Sequence, residues 1–335
     1  MGSTIKDIAK DTNLSLATIS KYLNGKNILP ENKKLIEESI KKLGYKPNKT
    51  AQNLRSKKTN TICILLPFIG DYFWGFLCSI MEEYLRKYNY STIISSYDAF
   101  SDDNTSELQF LLSKQVDGVI LVPEYSGSIT LPSLLLEAHI PFVCLDQELN
   151  GLSSDFVTSN NRTSAYQATK YFLENGHKIF GAIGGDLTSY TMKERISGMR
   201  DACREYNIPE DNLYIYGGDI ASSADFFRNI MSMPNHPTAM LMLSYNYTLG
   251  TILTLSELGL QIPKDFSLIS FDDDEIFSAF NPPITTVVQN LNEIGRQATG
   301  LLIKRINGDY ELYPETKMIE TKLIVRKSVA NISTM

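Results

Sequence analysis

At 335 residues the chain is long for one ordinary domain, so a small domain joined to a larger one is the first expectation. Hydrophobic residues at 43% and charged residues at 21% exclude a disordered, collagen-like or disulfide-scaffold chain. The net charge of −6 hides a division: residues 1–60 hold 13 Lys and Arg against five Asp and Glu, a net of +8, whereas residues 61–335 hold 19 against 33, a net of −14. A basic segment on an acidic body is the electrostatic footprint of a nucleic-acid reader attached to something else.

The longest apolar stretch, near Ile62 to Ile69, is broken by Pro67 and falls well short of the ~18 apolar residues of a spanning helix. No membrane partner is therefore expected. The opening Met-Gly-Ser-Thr turns charged by Lys6, without the apolar core of a secretory signal, which predicts a cytoplasmic chain. Cys63, Cys78, Cys144 and Cys203 are widely spaced and read as buried thiols. His139, His177 and His236 share no local motif, so no metal site and no cofactor is expected.

Thr4 is an N-cap with Asp7 three residues on, and Ile5, Ile8 and Ala9 share a face, predicting a helix from Ile5 to Asp11. Thr12-Asn13-Leu14 makes a tight turn, and Ser15 caps a second helix from Leu16 to Leu23 or Asn24. Two short helices joined by a three-residue turn make a helix-turn-helix. A third helix follows Pro30, with Leu35, Ile36, Ile40 and Leu43 as its inner face and Gly44 as its C-cap.

The string TIKDIAKDTNLSLATISKYLNGK (Thr4 to Lys26), with KKLGYKPNKTAQNLRSKKT (Lys41 to Thr59), closely resembles the DNA-binding head and hinge of the lactose-repressor (LacI/GalR) family of bacterial transcription regulators. A recognition helix sends side chains from its first turn into the major groove while its capped end and nearby groups hold phosphates. Leu16, Ala17 and Lys21 match the base-reading positions. Leu16 and Ala17 offer only apolar contact, such as to a thymine methyl, whereas Lys21 can donate to guanine. Thr4, Ser15, Ser20 and Asn24 suit phosphate or cap roles. Residues 47–59 form a segment too short and polar to hold a helix alone in water. The resemblance implies that it folds in the operator's minor groove, two copies pairing through Ala51 and Leu54 while Leu54 wedges between base steps.

After Asn60, short β-branched runs alternate with helical stretches. Strands are expected at 61–68, 91–97, 117–123, 141–146 and 155–161, and a second series at 178–185, 213–219, 238–244, 267–273 and 285–290. Helices are expected near 73–89, 103–115, 129–138 and 162–175. Two such series imply two open parallel sheets, whose ligands bind at the carboxyl ends of the strands. The predicted architecture is a small all-α helix-turn-helix head, residues 1–46, a hinge, 47–60, and an α/β body, 61–335. In the body, 61–160 with 291–320 forms one parallel-sheet subdomain and 161–290 with 321–335 the other. Family strings recur in order at 176–185, 193–202, 267–275 and 282–302, so the resemblance spans nearly the whole chain and implies a body like the periplasmic sugar-binding proteins, closing over a cleft. In the last string Leu291, Ile294, Ala298, Leu301 and Leu302 form an amphipathic packing face.

Asp146 and Asp272 end strands, and Arg195 opens a helix with Thr191 just before it; carboxylates and a guanidinium give strong directed hydrogen bonds to hydroxyls or ring nitrogens. The resemblance implies that the family holds its effector at the positions matching Asp146, Arg195 and Asp272. Tyr72, Phe73 and Trp74, the only tryptophan, follow the first strand where an aromatic face stacks on a sugar or base, or else packs the helix start. Asn160, Asn161 and Gln289 fall at crossovers, where they either line the cleft or shape the hinge. His177 belongs to a turn. Sugar-binding relatives commonly carry an Asn-Asp pair where this chain has Ser244-Tyr245, which cannot supply the usual carboxylate. That leaves an unusual sugar, a glycoside, a phosphosugar or something else entirely open. The run Asp273 to Glu275 reads as surface acid, since adjacent side chains at a strand end point apart.

The sequence therefore predicts a transcription regulator, a repressor, acting as a homodimer on a near-palindromic duplex operator under control of a small carbohydrate effector. No leucine heptads follow Arg326, favouring a dimer over a tail-built tetramer. The rivals are a binding protein without DNA function, against which the head argues, and a hydrolase on the same body. Against the hydrolase, the sequence has no phosphate loop, nucleophile elbow or metal cluster.

Overall fold

The computed structural model describes residues 3–23, 27–45, 58–70, 72–97, 105–123 and 128–333. The chain divides into two compact units, residues 1–59 and 60–335.

The first unit contains α1 (Ile5–Thr12), α2 (Leu16–Leu23) and α3 (Pro30–Leu43). The backbone amide and hydroxyl of Thr4 both donate to the Asp7 carboxylate at 2.8 Å, and the Ser15 hydroxyl accepts from the Thr18 amide at 3.1 Å. Side chains thus fix both helix starts where backbone donors lack intrahelical partners. Asn13 (φ 58°) and Gly44 (φ 59°) take the left-handed conformation that ends α1 and α3, which these two residue types tolerate best. Ile8, Ile19, Ile36 and Tyr45 form the core, with Ile40 and Leu43 against it. Leu35 is the exception to the expected inner face: it is exposed, because the stripe runs through Ile36, Ser39 and Ile40, and the preceding residue sits about 100° round the helix.

The second unit carries two six-stranded sheets. In chain order the elements are β1 (Thr61–Leu66), α4 (Tyr72–Lys87), β2 (Ser91–Ser96), α5 (Thr105–Lys114), β3 (Gly118–Leu121), α6 (Thr130–Glu137), β4 (Phe142–Leu145) and β5 (Asp155–Ser159). There follow α7 (Asn161–Glu174), β6 (Phe180–Gly184), α8 (Tyr190–Glu205), β7 (Leu213–Gly217), α9 (Ile220–Met231), β8 (Ala239–Met242), α10 (Tyr245–Leu258) and β9 (Ser267–Phe271). The chain ends with α11 (Glu275–Ala279), β10 (Thr285–Val288), α12 (Leu291–Ile306), β11 (Thr316–Ile319) and β12 (Lys322–Ile324). The strand orders are β11-β5-β4-β3-β1-β2 and β12-β10-β9-β8-β6-β7.

All pairings are parallel except β10 with β12, so the second sheet is not wholly parallel as expected. Strands β11 and β12 escaped the sequence reading because they are short edge strands, only partly buried, with no apolar run to announce them.

Alternation along a strand sends neighbouring residues to opposite faces. In β1, Ile62, Ile64 and Leu66 join the cluster beneath α4 and α12, while Cys63 and Leu65 join the cluster on the other face. Leu291 packs against the first of these clusters, and Ile294, Ala298, Leu301 and Leu302 lie within it. The second sheet has the same two-sided core. All four cysteines are buried, and burial pushes Cys63, Cys144 and Cys203 up to about 12 and Cys78 to about 11. His177 is buried against Thr238 Oγ1 (3.0 Å) and the Ala330 carbonyl (3.1 Å), and so ties down the C-terminal segment.

The chain passes three times between the sheets: from β5 into α7, from β10 into α12, and from β11 into β12. These crossings are joined to one another. The Ser159 hydroxyl donates to Gln289 Oε1 at 2.5 Å. Asn160 donates to Glu320 at 2.6 Å and accepts from the Thr321 amide at 3.1 Å.

Candidate functional site

On α2, Ile19 points into the core while Leu16, Ala17 and Lys21 are exposed; Leu16 keeps 47% of its surface in water. An eight-residue helix with a capped start thus presents a leucine, an alanine and a lysine outward. Thr4 and Ser15 are exposed cap residues with the bonds given above, and Ser20 is half-buried. Asn24, Ala51 and Leu54 lie outside the described residues, as does most of the predicted hinge.

A cleft of about 650 Å³ opens between the two sheets of the body at the carboxyl ends of their strands. Its centre has internal symmetry. Asp146 follows β4 and Asp272 follows β9; each takes a left-handed conformation (φ 55° and 68°). Each donates its amide at 3.0 Å to the neighbouring strand, Asp146 to Val157 and Asp272 to Val287. Asp is among the few residue types that visit this conformation readily, and the bend carries each chain off its sheet edge at the cleft. Thr158 Oγ1 donates to Asp146 at 3.1 Å and Gln289 Nε2 donates to Asp272 at 2.7 Å.

Arg195 stands between them with 2% of its surface exposed. It lies in the second turn of α8, not at its opening as the sequence suggested, because Ser189 is the N-cap. Its Nε donates to Asn161 Oδ1 at 2.8 Å and its Nη1 to the Leu243 carbonyl, which leaves Nη2 for the cleft, and its Cζ lies 4.0 Å from the Phe271 ring centroid. Burial lowers the guanidinium's pKa, and the charges of Asp272 and Asp146 oppose that. Thr191 lines the cleft and donates to the Asp146 carbonyl at 2.7 Å, and the Tyr190 amide donates to Gln147 at 2.7 Å. The α8 start is thereby fastened to the opposite subdomain.

Phe73 and Trp74 form one wall, their rings edge to face at 4.8 Å. Tyr72 is not in the wall; it stacks on Tyr245 across the mouth at 4.6 Å and 20°, and Tyr245 lines the cleft. Asn160 is also outside the wall, since its amide is occupied by the crossover bonds. Asp273 is not surface acid: it forms a half-buried pair with Arg326 at 2.8 Å, while Asp274 caps α11 and only Glu275 is exposed. The sequence reading missed Phe68, Gly185, Met192, Asp219, Ile220 and Tyr247, all of which line the cleft. Glycine pairs at strand ends, Gly184-Gly185 and Gly217-Gly218, were the available signal.

Burial pushes Asp146 up to about 6, with Arg195 and Thr158 opposing and Asp272 adding to the rise. The carboxyl keeps an edge toward the cleft but protein surrounds it. Because the folded state holds this proton more tightly than the unfolded chain does, the group's contribution to stability grows as pH falls from about 6 toward 3.8 and is lost as pH rises through that window. A ligand hydroxyl donating to Asp146 is held more strongly by the ionised carboxylate than by the protonated acid. Effector affinity should therefore fall as pH drops below about 6, while Asp146's own contribution to the stability of the unliganded body shifts the opposite way. Titration and thermal unfolding across that range check this, and Asp146→Asn should flatten both profiles.

Residues 4–48 match the family described as bacterial regulatory proteins, lacI family, and residues 169–329 match the periplasmic binding protein-like domain. The chain is 31% identical to an HTH-type transcriptional repressor PurR of Actinobacillus pleuropneumoniae serotype 3, over 99% of each chain. It is also 31% identical to the catabolite control protein A of Priestia megaterium, over 92% of this chain and 93% of that one. Among solved structures, a LacI family transcriptional regulator from Enterococcus faecium with bound ribose superposes with a TM-score of 0.73 at 26% identity, covering 82% of this chain and 100% of its own.

Proposed function

Given that the chain belongs to the lacI family of bacterial regulatory proteins, we propose that its α2 face reads an operator and its cleft holds the small molecule that controls the reading. The protein is a DNA-binding transcriptional repressor that works as a homodimer. The observation that carries the assignment of the head is the outward face of Leu16, Ala17 and Lys21 on a capped helix within the matched segment. Leu16 and Ala17 supply apolar contact to thymine methyls and Lys21 a donor to guanine, while Thr4, Ser15, Ser20 and Asn24 bond phosphates. Ala51 pairs the two hinge segments and Leu54 wedges the minor groove, opening a base step in exchange for the contacts of a bent duplex. Acting on chromosomal DNA, the protein works in the cytoplasm.

The cleft is read as a recognition site, in which a guanidinium stands between two central carboxylates. Asp146, Arg195 and Asp272 are the directional core of the effector site, with Thr191, Phe73, Trp74 and Tyr245 around it and Tyr72 behind Tyr245. Hydroxyl-rich ligands suit such a mixture of carboxylates, guanidinium and aromatic faces, which favours a carbohydrate. The effector acts through its different affinities for the two states of the body, and a changed angle between subdomains alters how the two heads are spaced.

Selection of the full-length chain against a randomised duplex library, at fixed salt, tests this reading. A near-palindromic site should emerge, bound at least about a thousandfold more tightly than random duplex. Lys21→Ala should weaken the selected site more than it weakens random duplex. Enrichment of no sequence would refute the assignment.

A further inference from the structure

Five successive strand ends of the second sheet contribute to the cleft lining: Gln289 after β10, Asp272 after β9, Ser244 after β8, Gly185 after β6 and Gly217 in the last position of β7. At about 4.8 Å per strand these ends cover roughly 19 Å. A hexopyranose is much shorter: with single bonds of about 1.5 Å, its opposite hydroxyl oxygens stand roughly 6 Å apart. The trough is therefore more than one ring long.

The two ends differ in chemistry. At the β9–β10 end, Asp146, Arg195, Asp272 and Gln289 offer directed hydrogen bonds. At the β6–β7 end the lining includes glycine backbone, the Tyr247 ring and Ile220, with Asp186 and Asp219 beside them. The carboxylates there are already engaged: Asp186 accepts from the amide and hydroxyl of Thr188 at 2.8 and 2.7 Å, and Asp219 from those of Ser222 at 2.8 Å. Gly185 keeps this end open, since a β-carbon there would meet nothing nearer than the Tyr247 hydroxyl at 3.5 Å. Phe68, 62% exposed, follows β1, which is second from the outer edge of its sheet as β6 is in the other, so an aromatic ring comes from the opposite wall toward the same end. Four carboxylates line the cleft against one guanidinium, a balance that repels anions.

We propose that the cleft takes a neutral glycoside two rings long. One ring is held by hydrogen bonds at Asp146, Arg195 and Asp272, and the second lies against Tyr247, Ile220 and Phe68. This rests on the reading of the cleft as a carbohydrate site and goes beyond it by fixing length and charge, which excludes phosphosugars.

Trp74, the sole tryptophan, lies in the wall, so its fluorescence reports occupancy directly in the full-length protein. The probes are cellobiose, maltose, lactose and sucrose, their constituent monosaccharides, glucose 6-phosphate and the purines hypoxanthine and guanine. At least one disaccharide should bind ten times or more as tightly as either of its constituent sugars, and glucose 6-phosphate more weakly than glucose. Gly185→Val, which fills the far end, should reduce that disaccharide advantage to less than threefold. A monosaccharide binding as tightly as every disaccharide, or a phosphosugar binding best, overturns the length or charge assignment and leaves the carbohydrate reading standing. Tight binding of a purine alone, or no response to any probe, overturns both.

Discussion

Arg195→Ala is expected to abolish the effector response, with a loss of at least a hundredfold in affinity, and to lower the melting temperature of the body by roughly 10 °C. Both effects have one origin. The guanidinium is almost wholly buried, and its removal deletes the bonds to Asn161 and Leu243 while leaving Asp146 and Asp272 facing each other without a countercharge. Breaking such a buried set by deleting one partner costs about 3–5 kcal/mol. Asp146 would respond by holding its proton more tightly, so the pH window of effector binding should move upward as affinity falls. Arg195→Lys keeps the charge without the planar fork and should fall between wild type and alanine. Operator affinity of the unliganded variant should be unchanged, because α2 belongs to a separate compact unit. A normal effector titration with Arg195→Ala would remove this residue from the site.

The second large effect is expected from cutting the chain before Asn60. That residue is already part of the body: its amide donates to Asp117 at 2.8 Å and its carbonyl accepts from the Ser91 amide at 2.7 Å, which fastens the start of β1. A protein of residues 60–335 retains all four clusters of the two sheets and every residue of the cleft wall. Its Trp74 titration should match that of the full chain within about twofold, whereas specific operator binding should vanish, a loss of at least about a thousandfold. Losing the net charge of +8 in residues 1–60 also removes the sequence-independent attraction for duplex, so even salt-sensitive binding to random DNA should disappear. Retained specific binding by the truncated chain would place the operator-reading surface elsewhere.

The head was readable because its signals are local: Thr4 with Asp7, Ser15 with Thr18, and left-handed Asn13 and Gly44 act within a few residues of themselves. Strands β1 to β10 were readable for a similar reason, since a short, mostly apolar run between helical stretches announces a strand within its own few residues. The central acids were legible as strand-end residues, and Arg195 by its place in a familiar string. What sequence reasoning lost depends on approach between distant segments. Nothing local says that Asn160 is occupied by Glu320 and Thr321, that Asp273 finds Arg326, or that Tyr72 meets Tyr245 rather than a ligand. Gly185 and Phe68 carry no charge and no motif; they acquire meaning only when the two sheets face each other.

The three crossings between the sheets, cross-linked through Ser159 with Gln289 and Asn160 with Thr321, have a mechanical corollary. A pair of lobes joined by a single strap can slide, twist and yaw, whereas a pair joined by three laced straps side by side can only swing, like a door on three knuckles. Whatever molecule occupies the wall is thus translated into one angle, and the chemistry of the occupant is not carried further. New ligands can be accommodated by changing the wall while the knuckles stay as they are, and loosening a knuckle would leave a protein that still fills its cleft but no longer reports that it has done so.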